Sequence, residues 1–526
     1  YQPSIKCWVF LLLLYLKKTR GILWPFYHRL NLRKTNGNYL SYRRAVGSTT
    51  GPFNWYFDVN GNVGAAGSII PGAYTTYSAL TANNVSASIL ANSNVSIKDN
   101  NFTVNNGGNS GTQNRNAIIS SSTVATSGNI FTINGSEDNG ILVKSGVLSS
   151  SNDLFNINGT QKNNGIILSG GKADVTSGAF KVNSDKSNGI NNQAGTNVDV
   201  TGGYFTVSAN EANGLFSKSG KVVTKNVNSF SISNVTKSTG IFADTGNTSV
   251  EDEGSTFTLG GNNNNAIYAK AGTVKTTGTK ITIGGTTKNN GIFADTGTTK
   301  TEVNGPSSTI TVSNGLTESN GIYVNAGTLD VDDVTFNVNV GRTGGAANDK
   351  NAAIRLTTTG GVANVNNARI TVHGTDSAGI WAEAKADKLT VSNSNIVIGN
   401  GDSERNNGIY RDGRPLDSTD THYTINGSYS NGVYSTNGQN VTFNGGSMTI
   451  NGSYNNGYID KGTGTDKVQN MTFDVNGSHN NGIYATNAGG TSGGLIDEIS
   501  GSTFNVTNNN IGLLVGDSAG QAGVDK

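Results

Sequence analysis

The sequence predicts an all-β chain, a right-handed, single-stranded parallel β-helix of about 16 coils, with about 25 residues and three short strands in each. Three observations predict it. A small residue followed by an apolar one returns in phase, from Ala117-Ile118 through Gly140-Ile141, Gly165-Ile166 and Gly189-Ile190 to Gly482-Ile483 and Gly512-Leu513. Between these anchors lies a second signal, Phe-x-Ile/Val, as in Phe131-Thr-Ile133, Phe155-Asn-Ile157, Phe180-Lys-Val182 and Phe205-Thr-Val207. After residue 100 proline occurs only as Pro306 and Pro415, which suits ladders that a missing N–H would interrupt.

Each element of a coil has its own justification. The first strand follows the anchor, as in Gly240-Ile-Phe-Ala-Asp-Thr-Gly246. The second is short and rich in Thr and Val, as in Val198-Asp-Val200 and Thr328-Leu-Asp-Val331. The third is the Phe-x-Ile/Val unit, whose alternation over a few residues between Gly, Asn and Ser is a strand signature. The spacers leave no room for helices. Each unit is too short to bury a core alone, so the units must stack and like residues must meet like residues. The aromatic row is then an internal ladder, and the alternative, an outward carbohydrate platform, conflicts with its alternation with Thr, Asn and Ser. The Asn-Gly pairs are expected at sharp turns with positive φ, with Asn139, Asn164, Asn188, Asn213, Asn290, Asn320, Asn407, Asn431, Asn456 and Asn481 hydrogen-bonding along the stack.

Composition narrows the setting. Only 14% of residues are charged and 72 are Gly, so the surface is polar yet weakly charged. Residues 1–45 hold nine of the 37 basic residues and no acid, leaving 28 basic against 35 acidic residues, a net of −7, in the remainder. That balance argues against nucleic acid as a partner. The single cysteine, Cys7, lies in the apolar run from Cys7 to Leu16, which matches a signal-peptide core in length but has its basic residues mostly behind it. Residues 1–45 are read as an atypical export signal or as unrelated upstream sequence, 46–100 as an amino-terminal cap with irregular first coils, 101–516 as the β-helix, and 517–526 as a truncated tail.

Some anchor intervals are longer than the rest, and the excess is expected to leave the stack as loops: Asn304–Ser308, Gly341–Lys350, Gly399–Arg405, Arg411–His422 and Gly489–Asp497. The segment Arg411-Asp-Gly-Arg-Pro-Leu-Asp-Ser-Thr-Asp-Thr-His422 departs most from the repeat. Its residues Arg411, Asp412, Arg414, Asp417, Asp420 and His422, with neighbouring Glu404 and Arg405, are the candidate contact surface; the alternative is a solvated bulge without a role. Asp244 and Asp295, two coils apart with Lys270 between them, and the group Asp330, Asp332 and Asp333 are the carboxylates that enzymes of this architecture would use. Neither group has a converging Arg or His, and His28, His373, His422 and His479 are scattered. The expectation is therefore no catalytic residues, no metal site and no cofactor.

The repeats Asn289-Asn-Gly-Ile-Phe-Ala-Asp-Thr-Gly297, Asn455-Asn-Gly-Tyr458 and Asn480-Asn-Gly-Ile-Tyr484 resemble the passenger domains of Gram-negative autotransporters of type V secretion, over about residues 100–516. The resemblance implies bacterial surface display or secretion, and adhesion to glycans or proteins of host or neighbouring cells, or self-association. It also implies a membrane β-barrel translocator, which is not expected within these 526 residues, whose composition is still passenger-like at Val524-Asp-Lys526. The competing expectations are a β-helical polysaccharide lyase or glycosidase and a carbohydrate-binding, phage-type spike.

Overall fold

The computed structural model describes residues 87–105, 115–313, 316–339, 350–383, 387–401, 405–437, 440–462, 464–486 and 495–516, with the strands Leu30–Arg33, Tyr39–Arg43, Tyr56–Phe57 and Leu80–Asn83 also placed. The chain forms two compact units, Tyr1–Gly67 and Ser68–Lys526. In the first, Leu30–Arg33 pairs antiparallel with Tyr39–Arg43, which pairs with Tyr56–Phe57. The apolar run from Cys7 to Leu16 and the tail 517–526 lie outside the described residues.

The second unit is a parallel β-solenoid of about 15 turns. One coil shows the plan. Face A is Asn139–Val143, face B is Val147–Ser151 and face C is Leu154–Ile157. Each strand pairs in register with its counterpart one coil on: Ile141 with Ile166, Leu148 with Ala173, Phe155 with Phe180. Stacking begins before residue 101, because Leu80–Asn83 already pairs with Asn101–Asn105 and Ala87–Ala91 with Asn116–Ser120. At about 4.8 Å per coil the stack is roughly 70 Å long. No helix occurs among the described residues, and so none long and apolar enough to cross a membrane.

The interior follows from alternation. On face A the Ile and the residue two further on point inward; on face C the Phe and the Ile or Val do. The phenylalanines Phe102, Phe131, Phe155, Phe180, Phe205, Phe230 and Phe257 form one ladder of parallel rings, neighbouring centroids 4.6–4.8 Å apart. This is the internal ladder the sequence predicts, and each ring adds about 1.5–3 kcal/mol through burial.

The anchor pair corrects the turn expectation. Asn139 and Gly140 open a strand, and positive φ falls two residues before the Asn, on Glu137 (60°), Lys162 (55°), Lys186 (55°) and Glu211 (53°). A left-handed backbone costs roughly 1–2 kcal/mol in a residue with a Cβ. The turn is held by a hydrogen bond to the next coil, as when Glu137 N–H donates to the Gln161 carbonyl at 3.1 Å. The Gly is needed for close approach instead: a Cβ on Gly165 would lie 2.6 Å from the Gly189 carbonyl oxygen and 3.0 Å from the Phe180 ring.

The Asn row behaves as expected. Asn164 Nδ2 donates to Asn139 Oδ1 at 2.7 Å, Asn188 to Asn164 at 2.9 Å and Asn213 to Asn188 at 2.9 Å. Further runs join Asn265 through Asn320 and Asn407 through Asn481. A second polar row, unforeseen in the sequence, lies one residue earlier, at Asp138, Asn163, Ser187, Ser238, Asn264, Asn289 and Ser319. Its side-chain oxygens accept the backbone N–H of the preceding coil: Asp138 N–H donates to Asn163 Oδ1 at 2.9 Å, and Ser238 N–H to Asn264 Oδ1 at 2.8 Å. These groups are buried, and their pairing removes a desolvation cost of about 1–3 kcal/mol per group.

Replacing Phe180 by Asp removes a ring stacked on both sides and buries a carboxylate, so it is expected to cost at least about 4 kcal/mol in denaturant unfolding. Lys181→Ala, on the exposed side of the same strand, is expected to stay within about 0.5 kcal/mol. Equal losses would contradict the facing described.

Candidate binding face

Outward-facing residues of face A include one ring per coil over a long stretch. The residue after the buried Ile is Phe216, Phe242, Tyr268, Phe293, Tyr323, Arg355, Trp381, Tyr410 and Tyr434 in successive coils, each directly above the last. The rings are half-buried. Phe242, Tyr268 and Phe293 stack at 4.7 and 4.9 Å, nearly parallel. Arg355 bridges the one gap in the aromatic row, its guanidinium 5.9 Å from the Tyr323 ring and 5.4 Å from Trp381. Trp381 and Tyr410 continue at 4.6 Å, and Tyr410 and Tyr434 at 5.6 Å. The repeat units quoted for the first strand contain these rings, and alternation from the buried Ile is the signal that places them outside.

Beside the rings runs a row of paired polar groups. Lys270 holds Asp244 at 2.8 Å, and Arg355 holds Glu383 at 2.8 Å. Asp295 accepts from Tyr268 Oη at 2.8 Å, from Asn325 Nδ2 at 3.0 Å and from the Thr296 N–H at 2.8 Å. Burial works to raise the Asp295 pKa, but the hydrogen bonds from Asn325 and Tyr268 outweigh it and hold the carboxyl below its ordinary range. Burial, and then the bond to Asp295, push the Tyr268 phenol up. Asp244 and Asp295 thus have separate partners. Asp330 pairs with Lys300 at 3.2 Å and Asp333 with Arg369 at 2.9 Å, so that group is likewise divided.

The expected contact loop Arg411–His422 is not a loop. Asn407–Asp412 continues face A, and Leu416–Ile425 supplies faces B and C as one strand. Arg411 and Arg414 are completely buried, which overturns their reading as contact residues. Arg414 projects back along the stack. Its Nε donates to the Glu383 carbonyl, Nη1 to those of Gly361 and Asp387, and Nη2 to those of Thr357 and Gly360, at 2.9–3.3 Å. All five guanidinium donors are thereby used on carbonyls of two earlier turns. The coil from Gly408 to Gly432 is no longer than its neighbours, and its unusual composition supplies a staple. Asp412 and Asp417 are half-buried, Asp417 pairing with Lys388, while Asp420 and His422 are exposed on another part of the coil, His422 Nδ1 lying 2.9 Å from Ser447 Oγ. Arg405 is exposed and pairs with Asp376 at 3.3 Å; Glu404 lies outside the described residues, as does most of Gly341–Lys350.

Arg405 nevertheless borders a groove. In three successive coils the left-handed corner, elsewhere occupied by Lys, Arg, Glu, Asp or Asn, becomes Tyr429, Tyr454 and His479, which stack at 5.1 and 4.9 Å. Between this ridge and the Tyr410–Tyr434 ridge of face A lies a cavity of about 690 Å³, with Asn407, Asn431 and Asn456 along it and Lys461 at one end.

Under the same coils the core changes character. The inward position that holds Val143, Leu168, Ala243 or Ala294, and the uncharged Ser120, Asn192 and Ser217, becomes Arg411, Ser435 and Asp460, so that charge enters it. Arg411 Nε donates to Ser435 Oγ at 2.9 Å, and Ser435 Oγ to Asp460 Oδ1 at 3.3 Å. Tyr458, at the anchor position usually held by Ile, donates its hydroxyl to Asp466. Burial, followed by the charge of Asp460, raises the Asp466 carboxyl to about 7.

No protein-family model matches the chain, and no curated protein and no solved structure matches it either.

The raised Asp466 carboxyl makes stability depend on pH in a defined direction. Its ordinary value is 3.8, so the native state holds this proton up to about pH 7 while the unfolded chain releases it near pH 4. The resulting penalty is absent below pH 4, grows between 4 and 7, and is complete above. Asp466→Asn is expected to narrow the gap in unfolding temperature between pH 5 and pH 8; an unchanged gap would sink the assignment.

Proposed function

We propose that this chain is a non-catalytic adhesive rod of the autotransporter-passenger type, displayed on a bacterial surface or secreted. It holds glycans or proteins of host or neighbouring cells, or other copies of itself, by repeated weak contacts along face A. The observation that carries this reading is the outward row from Phe216 to Tyr434, one ring or guanidinium in every coil. Contacts of modest strength repeated at a fixed spacing add through effective concentration, so such a surface gains avidity from length. The paired charges beside the row leave it little net field, in keeping with partners met by contact and not by electrostatic steering.

A polysaccharide lyase or glycosidase is the less favoured reading. Asp295 is fixed as an ionised acceptor by three donors, which suits positioning of neighbours better than proton donation.

Retention of the labelled chain on cells and on extracellular matrix tests the proposal. The double variant Tyr268→Ser with Phe293→Ser is expected to lower retention about tenfold, or about 1.4 kcal/mol, while circular dichroism keeps its strand signature. Wild-type chain that is not retained on any surface, or that releases reducing or unsaturated sugar ends from polysaccharide, would overturn the reading. Sedimentation as a stable trimer would favour the spike.

A further inference from the structure

The groove over coils 376–461 carries an inference that rests on the adhesive reading and sharpens it. We infer that this groove is a subsite for an uncharged, linear glycan lying along the rod, with successive sugars over successive coils.

Geometry sets the shape of the ligand. The groove is lined by the same positions from consecutive coils: the corner residue (Tyr429, Tyr454), the anchor amide (Asn431, Asn456) and the outward ring (Tyr410, Tyr434). Its chemistry therefore repeats at the coil spacing of about 4.8 Å. The ligand that matches is a polymer whose hydroxyls recur at nearly that interval, as those of a pyranose chain do. A cavity of about 690 Å³ is of the size that holds a few sugar rings.

Chemistry sets its class. Tyr429 and Tyr454 cover each other's faces, 5.1 Å apart with planes 4° from parallel, so their edges and hydroxyls remain for contact. Each anchor amide spends an N–H or a lone pair on its neighbours in the ladder; Asn431 and Asn456 are buried beneath the groove floor, and the half-buried Asn407 is the one with a group left toward the groove. Edges, phenols and a carboxamide together recognise hydroxyl groups on an otherwise apolar ring. Among the described residues lining the groove, the cations are Arg405, balanced by Asp376 at 3.3 Å, and Lys461, set 5.2 Å over the Tyr434 ring. Two cations and one acid do not neutralise a polyanion. An extended peptide would seek a sheet edge, whereas the strands Asn407–Asp412, Asn431–Thr436 and Asn456–Lys461 are each paired on both sides.

The corner residues offer a clean variant. Tyr429 and Tyr454 have φ of 53° and 57°, a conformation Asn adopts more readily than Ala. The full chain is titrated by calorimetry and saturation-transfer NMR with cellohexaose, chitohexaose and polygalacturonate. Expected are binding of a neutral hexasaccharide with saturation transfer, a loss of at least tenfold in the double variant Tyr429→Asn with Tyr454→Asn, and a change within twofold for Tyr204→Ser, an exposed ring on face C. All variants are first shown to keep the wild-type circular dichroism and unfolding temperature within a few degrees. Binding of polygalacturonate alone, of neither neutral sugar, or equal losses in the corner and Tyr204 variants would overturn the inference. The adhesive reading fails separately, on loss of surface retention by wild-type chain. Retention that survives the corner double variant together with absent sugar binding overturns the glycan groove and leaves adhesion standing.

Discussion

In-register parallel stacking is the constraint on which everything else depends. With coils about 4.8 Å apart, a side chain meets above and below it whatever occupies the same position in neighbouring coils. Residues that can satisfy a copy of themselves are therefore favoured. A phenylalanine stacks on a phenylalanine, as in the ladder from Phe102 to Phe257. A carboxamide both donates and accepts, so an Asn row closes on itself where a row of acids or ammonium groups could not. Charges mostly find an opposite partner in a neighbouring coil. Along the left-handed corner Glu137 faces Lys162, Lys186 faces Glu211, Lys288 faces Glu318 and Asp376 faces Arg405. The charged fraction of 14% is a consequence of this geometry as much as of solvent.

What the sequence revealed and concealed follows from the same constraint. Period and alternation are local properties, so the three strands per coil, the inward Phe ladder and the Asn row could be read directly. The corner could not. Asn-Gly has the chemistry of a turn, yet here Gly is set by the approach of the next coil's carbonyl and a Phe ring, a distance between residues some 25 positions apart. The Arg411–His422 segment was misjudged because its unusual composition was equated with exposure, although its coil, Gly408 to Gly432, is no longer than its neighbours. Gly413–Pro415 makes the turn, and the guanidinium of Arg414 fills space against carbonyls 27 to 57 residues earlier. The outward rings of face A were visible in the repeats but were overshadowed by the stronger Phe-x-Ile signal on face C.

Burying Arg411, Asp460 and Asp466 in one stretch of core needs its own account. An isolated buried charge costs several kcal/mol, and pairing returns that only with good geometry. Here the interior is already lined by carbonyls and hydroxyls at the corners, so most of the added polar atoms find partners without disturbing the ladder, Asp460 Oδ2 being a buried exception. Asp466 accepts from the Val441 N–H at 2.7 Å as well as from Tyr458, and Asp460 from the Gly462 N–H at 2.8 Å. The result is a polar section within an apolar rod, satisfied well enough to stack but sensitive to proton loss at one carboxyl.

A repetitive rod separates affinity from specificity. Rings repeated along face A can strengthen any contact they make, but a surface that looks the same in every coil cannot tell one position on a polymer from the next. Discrimination must arise where the repeat is broken. Insertions are one source of such breaks, yet the segment that departs most from the repeat in composition sends Arg414 inward. The outward departure is made by substitution: Tyr429, Tyr454 and His479 take over a row that otherwise carries mainly lysines and acids. Three aromatic residues at a corner that the backbone already forces outward need no new loop, no lost ladder bond and no change of register. On a scaffold with so little tolerance for extra length, that is the least disruptive way to build a local site.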